Sequence, residues 1–200
     1  MVEKGYADKF NIMVIGDEKV GKTTVLERHF NRKFNAERKK TIGVEYHNKD
    51  WTDKRDSSLV YNMKFWDTAG QEKFRSITKN YYQRAHGMLI AMSIDYRSSF
   101  DNLKMWVNSV SENIGNNKMP LVIICNKIDL EDQREVDNNE VEAVANELGL
   151  RVFFTSAKIG TNIDEAFEYV MDEVVKVNAV QNRNSNLDLS NGNDKKSGCC

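Results

Sequence analysis

Apolar and polar positions along this chain switch repeatedly between a period near two and a period near 3.6, and the switching predicts its elements. Strand-like segments fall at about 10–15, 44–51, 59–66, 87–93, 120–125 and 152–155. Helical patterns lie between or after them at about 22–31, 72–84, 99–114, 138–148 and 162–177. The last helix is the clearest: Ile163, Phe167, Val170, Met171, Val174 and Val177 form one stripe at helical spacing, with Asn162 placed to cap it. That stripe reads as core. Alternating strands and helices predict an α/β fold, a doubly wound, mostly parallel six-stranded sheet with helices on both faces. The polar stretch Asp53–Ser58 separates two strands of opposite direction, so the second and third segments form a hairpin at the sheet edge. No internal repeat is visible.

From Asn178 the sequence becomes NAVQNRNSNLDLSNGNDKKSGCC, rich in Asn, Ser, Asp and Gly. Such a stretch lacks the large apolar side chains that a core needs, which predicts a disordered tail over 178–200 and one domain over 1–177. Two hundred residues with 40% hydrophobic content suit a single core of that size. Lys and Arg number 29 against 30 Asp and Glu, for a net charge of −1, so no global field recommends nucleic acid or a cationic substrate. The runs Gly87–Met92 and Leu121–Cys125 fall short of the ~20 apolar residues of a membrane helix. Glu3, Lys4, Asp8 and Lys9 stand where a signal core would be apolar, and the expected compartment is the cytosol. Of three cysteines, Cys125 reads as a small buried thiol in a strand, whereas Cys199 and Cys200 form an exposed terminal pair that calls for modification.

The candidate chemistry begins at GDEKVGKT, comprising Gly16, Asp17, Glu18, Lys19, Val20, Gly21, Lys22 and Thr23 and followed by Thr24. A glycine-bounded loop between a strand and a helix N-terminus turns N–H groups and the positive dipole end toward one point, where a phosphate fits. At this spacing Lys22 reaches the β- and γ-phosphates and the Thr23 hydroxyl can ligate Mg²⁺, so the expected ligand is a nucleoside triphosphate. Asp67 ends the strand Leu59–Trp66 and can hold the Mg²⁺ shell opposite Thr23, while Gly70 lets its backbone approach the γ-phosphate. Gln71 is suited to orient an attacking water, since its amide both donates and accepts without charging.

Asn126, Lys127, Ile128 and Asp129 leave the strand Leu121–Cys125 at the edge where doubly wound sheets bind ligands. Asp129 can accept from guanine N1–H and the exocyclic amine, whereas adenine would turn a lone pair toward the carboxylate. A site built on such bonds rejects the wrong base by about 10⁴–10⁵. Lys127 can lay its stem over the purine, Asn126 can tie neighbouring loops, and Ser156, Ala157 and Lys158 follow the last strand, with the Ala157 N–H available for guanine O6.

With these motifs in this order, residues 8–177 resemble a small GTPase of the Ras superfamily, within its Rab branch. The resemblance rests on GDEKVGKT, Thr41, WDTAGQEKF at Trp66–Phe74, NKID and SAK, and on TIGVEY, KFRSIT, YYQRAHG, SSFDNLKMW and the final Cys-Cys. It implies a vesicle-traffic switch that binds GTP or GDP with Mg²⁺ held by Thr23, Thr41 and Asp67. Catalysis would fall to Gln71 and Lys22, with Phe34 against the guanine and moving segments at 32–44 and 69–84. The partners it implies are an exchange factor, a GTPase-activating protein, a GDP-dissociation inhibitor, a prenylation escort protein and effectors of the GTP state. A monomer is expected, on the cytosolic face of an endomembrane or the plasma membrane and cycling with the cytosol. Cys199 and Cys200 would carry two geranylgeranyl groups, since one lipid binds only marginally and the tail has few cations to help.

Departures from the family pattern bear on the chemistry. Glu18 stands where the family carries a small residue, and a carboxylate ~4 Å from a phosphate charge costs about 1 kcal/mol in water and about 4 at an effective dielectric of 20. The expectation is slowed hydrolysis or weakened GTP, against a Glu18 that faces solvent and pairs with Lys19. Lys19 replaces a glycine, and Arg38, Lys39 and Lys40 join Arg28, Arg32 and Lys33 in a basic stretch. That stretch is read either as a solvated face or as charge that offsets Glu18 and steers an acidic effector. Ser93 replaces a common Asp. Two alternatives stand beside a hydrolysing switch: a GTP-dependent binding module with almost no turnover, favoured by Glu18, and a P-loop ATPase or nucleoside kinase, opposed by Asp129.

Overall fold

The computed structural model describes residues 6–35, 41, 44–68, 82–115 and 118–191, of which 179–191 are described as backbone only. Six strands form one sheet in the order β2-β3-β1-β4-β5-β6, with β1 at Asp8–Gly16, β2 at Val44–Thr52, β3 at Val60–Thr68, β4 at Gly87–Ser93, β5 at Leu121–Asn126 and β6 at Arg151–Phe154. Only β2 and β3 pair antiparallel, joined by a turn in which the buried Asp53 carboxylate accepts from Arg55 N, Nε and Nη2. The expected hairpin, edge position and parallel remainder are therefore present. After β1 the chain runs to one side, to β3, and then to the other, to β4. This reversal opens a crevice at the carboxyl end of β1, where open α/β sheets bind ligands.

Alternation along β1 divides the core. Ile12 and Val14 face the layer of α1 (Lys22–Asn31) and the last helix, with Leu26, Phe65, Phe167, Val170 and Val174. Met13 and Ile15 face the other layer, with Met92, Trp106, Val110 and Cys125. Cys125 is buried as expected, and burial pushes its thiol up to about 12.

Two helices keep their expected bounds. Both α1 and the helix Asn138–Leu148 end on a left-handed residue, Arg32 and Gly149, and the latter helix starts with a capping box in which Asp137 and Glu140 exchange bonds. The pattern at 99–114 resolves into two pieces: α2 at Arg97–Asp101 and α3 at Leu103–Ile114 meet at Asn102, whose amide turns to the loop after β1. Asn138–Leu148 is then α4. The pattern at 72–84 falls almost wholly on residues outside those described.

The last helix, α5, runs over Ile163–Asn191 instead of stopping near 177. No Pro or Gly lies between 163 and 191, so no residue in that span forces an end, but its buried stripe finishes at Val174 and Val175, with Val177 half-buried. Asn162 does not cap α5 with its side chain. It sits at φ 52, and its amide donates 2.8 Å to the Phe154 carbonyl, leaving the Asn162 backbone carbonyl to accept from Ala166 N. Among the described residues, no helix is long and apolar enough to cross a membrane.

One polar cluster ties α1 to β2 and α5. The His29 ring, 3% exposed, stacks on Phe167 with centroids 4.2 Å apart. Its Nδ1 lies 2.7 Å from Asp164 Oδ1 and its Nε2 2.8 Å from Lys49 Nζ. Lysine is a donor only, so Nε2 accepts and the ring proton sits on Nδ1. Burial, then the Lys49 charge, lower the His29 pKa to about 4.

Candidate functional site

The loop after β1 is shaped by close approach. A Cβ on Gly16 would lie 2.1 Å from the Ala91 carbonyl oxygen, and one on Gly21, at φ 94, would lie 2.5 Å from Asn126 Nδ2. Between them Lys19 adopts φ 66, which costs a non-glycine residue roughly 1–2 kcal/mol. Asp17 turns inward at 6% exposure, its two oxygens accepting 2.7 Å bonds from Trp106 Nε1 and Asn102 Nδ2 on the α2–α3 side. The loop is thereby moored to the helical layer. Glu18 is half-buried and Lys19 exposed.

Lys22 opens α1 and is 5% exposed, with its ammonium donating 2.6 Å to the Asp17 carbonyl. Burial lowers its pKa to about 8 against the opposing pull of Asp67, Asp17 and Glu18, in that order. Thr24 follows in the first turn, half-buried. Thr23 Oγ1 lies 2.7 Å from Thr41 Oγ1 and donates 2.5 Å to Asp67 Oδ2, so the three residues expected to hold a metal meet at one point. Asp67 is wholly buried next to the end of β3, in register with Val14 of β1.

The second half of the crevice lies at the ends of β5 and β6. Asn126, 1% exposed, donates 2.9 Å to the Val20 carbonyl and accepts from Ala157 N and Thr155 Oγ1 at 3.2 and 3.3 Å. It joins the loop after β1 to the loop after β6, as its sequence position suggested. Lys127, at φ 63, pairs through Nζ with Asp95 Oδ2 at 2.9 Å. Asp129 accepts from Ser156 Oγ and lies 3.8 Å from Lys158 Nζ. Ser156 and Ala157 are buried and Lys158 is exposed. The Ala157 N–H, expected to face a base oxygen, is engaged by Asn126 Oδ1. Phe34, at 39% exposure, lies beyond the end of α1.

Gly70, Gln71, Arg38–Lys40, Cys199 and Cys200 lie outside the described residues. Of the basic stretch, Arg32 is spent on Asp164 and Arg28 on the carbonyls of Ala157, Lys158 and Arg32. Trp106, Asn102, Asp95 and Arg28 were not singled out for the site by the sequence, because each reaches it from a distant helix face or loop. The buried-helix pattern of α3 gave the one available signal, a Trp whose indole N–H must find an acceptor.

A tightly turned loop before α1 thus stands beside a cluster of hard oxygens from Thr23, Thr41 and Asp67, and the Asp129 carboxylate lies among the loops after β5 and β6. The chain matches the model of the Ras family over residues 11–176. It is 36% identical to GTP-binding protein ypt2 of Schizosaccharomyces pombe over 205 residues, covering 100% of both chains. It is 37% identical to Ras-related protein Rab-8B of Pongo abelii over 180 residues, covering 90% of this chain and 85% of that one. With Ras-related protein Rab-27B of Homo sapiens the identity is 32% over 191 residues, covering 88% and 84%. Similarity that begins inside β1 and continues into α5 takes in every loop of the crevice, and by it the chain belongs to the Rab branch of the Ras superfamily of small GTPases.

Proposed function

We propose that this Rab-like GTP-binding protein of vesicle trafficking is a switch that hydrolyses GTP slowly by itself and recruits effectors while GTP is bound. The convergence of Thr23, Thr41 and Asp67 carries the reading, because it joins the helix that starts at the phosphate loop, a residue of the segment before β2, and the end of β3. Two hydroxyls and a carboxylate are hard oxygen donors and suit Mg²⁺, which takes its remaining ligands from water and nucleotide phosphates. The ion would neutralise charge on the β- and γ-phosphates. Lys22 and the N–H groups from Gly16 to Lys22 would hold the same phosphates, and Gln71 would orient the water. Guanine would be read by Asp129, covered by Lys127 and Phe34, and met at O6 by the Ser156–Lys158 loop. This positioning chemistry is slow unaided by about 10³–10⁵, so an activating protein supplies the missing charge.

The globular unit spans 1–177. Residues 178–200 would act as a tether, with Cys199 and Cys200 bearing two prenyl groups that hold the protein to an endomembrane and that a GDP-dissociation inhibitor and an escort protein shield. An exchange factor reloads it, and the monomer is the working form.

A second reading is supported by Glu18. It sits half-buried in the phosphate loop, near enough for its charge to act on Lys22. In that reading the protein holds GTP for long periods and serves as a binding module. Single-turnover conversion of bound GTP in the wild type and in Glu18→Ser decides between them. Turnover in both supports the switch, and turnover in the variant alone supports the module. Absence of guanine nucleotide binding in either protein would refute both.

A further inference from the structure

We infer that Arg28 is the residue that aims the loop after β6 at the base and sets recognition of the purine O6. The inference rests on the guanine reading above. Arg28 lies on α1, the helix that starts at the phosphate loop, and among the described residues its guanidinium donates to three carbonyl oxygens. Nε donates to Ala157 O at 2.6 Å, Nη2 to Lys158 O, and Nη1 to Arg32 O at 3.1 Å. A guanidinium is a planar fork, so holding two successive carbonyls fixes two peptide planes as well as one distance.

A trans peptide sets its C=O and its N–H in opposite directions. With the Ala157 carbonyl drawn toward Arg28, the N–H of Lys158 in the same peptide points away from α1. The preceding N–H, of Ala157, is held by Asn126 Oδ1. Both donors of the loop therefore take their direction from two side chains, Arg28 and Asn126. Further out, Lys158, Ile159 and Gly160 are exposed, and the loop's own bonds, Gly160 N to Ser156 O at 2.8 Å and Ile159 N to Ser156 Oγ at 3.2 Å, only close it on itself. These internal bonds shape the loop without aiming it. Asp129 is different: its carboxylate is held by Ser156 and faced by Lys158 Nζ, and Arg28 does not touch it. Reading of O6 thus rests on Arg28 directly, whereas the N1 and amine edge meets Arg28 only at one remove, through the Ser156 and Lys158 side chains.

That separation gives the test. Affinities of GDP, inosine diphosphate (which keeps O6 and N1–H and lacks the amine) and 2-aminopurine riboside diphosphate (which lacks O6 and carries a lone pair in place of N1–H, a loss at Asp129 common to all three proteins) are measured by competition on wild type, Arg28→Ala and Arg28→Lys. In wild type each lost contact is expected to weaken binding by about tenfold or more. In Arg28→Ala the preference for GDP over the 2-aminopurine nucleotide should shrink by about tenfold, while the preference for GDP over inosine diphosphate is retained. Arg28→Lys, with one ammonium for two carbonyls, should fall between. Because each preference is a ratio within one protein, a partly unfolded variant leaves both unchanged. Equal weakening of all three nucleotides by Arg28→Ala, with both ratios kept, overturns the inference and leaves Arg28 a helix-end residue. A wild type that does not discriminate among the three, or that prefers ADP, overturns the guanine reading instead.

Discussion

Replacing His29 with Phe should remove a specific acid sensitivity from this fold. In the native protein the imidazole is neutral, held between the Asp164 carboxylate and the Lys49 ammonium against the face of Phe167. Its pKa is about 4 folded against 6.5 in a free chain. A base with a depressed folded pKa contributes stability that is complete above about pH 6.5 and is lost as the pH falls toward 4, since the unfolded chain takes up the proton first. At 1.36 kcal/mol per unit the whole interval is worth about 3 kcal/mol, and the part between pH 7 and pH 5 about 2 kcal/mol. A phenyl ring keeps the stack on Phe167 and carries no titratable group. Urea unfolding at saturating GDP and Mg²⁺ should therefore show wild type losing about 2 kcal/mol more than His29→Phe between pH 7 and pH 5. His86, whose pKa burial also lowers, acts in the same direction in both proteins and cancels. Parallel pH dependences in the two would refute the assignment of His29 as the neutral, doubly bonded ring.

Trp106→Phe removes the indole donor from the buried Asp17 carboxylate and should cost about 1–3 kcal/mol in urea unfolding, with faster GDP release as the phosphate loop loses its mooring. Unchanged release would show that Asn102 alone suffices. Gly21→Ala places a Cβ 2.5 Å from Asn126 Nδ2 at φ 94, so nucleotide affinity should collapse while far-UV circular dichroism stays native. Ellman's reagent at pH 8 on unprenylated protein should find Cys199 and Cys200 at once and Cys125 only after denaturation, because burial holds that thiol near 12. Immediate reaction of all three would contradict the buried position of β5.

Most of the crevice was legible in the sequence because its parts are local. A strand, a glycine turn and a helix start within Phe10–Thr24 suffice to expect a phosphate loop, and Asn126 to Asp129 announce themselves by following an apolar run. Helix α4 follows the bounds of its apolar pattern, and Asp137, Glu140 and Gly149 fix those bounds by contacts within one turn. What escaped was long-range. The break at Asn102 falls at a residue whose amide donates to Asp17, 85 positions away, and no periodicity within α2 or α3 records that contact. Arg28 read as one cation in a basic stretch, whereas its partners are carbonyls after β6, and a backbone carbonyl leaves no mark on composition. The far end of α5 ran on for the opposite reason: polarity there argued against a core, but the backbone between Asn178 and Asn191 contains no residue that ends a helix.

Through its side-chain amide Asn126 binds two loops to each other, the one after β1 through Val20 and the one after β6 through Ala157. In the site proposed above, the loops at the phosphate end and the base end of a nucleotide would share this one side chain. Ordering either loop would then prepay part of the entropy of ordering the other, and base and phosphates would bind as one cooperative event. Release would then have a lever: a partner that pried open either end alone would loosen the grip on the other, and need never reach the whole ligand to expel it.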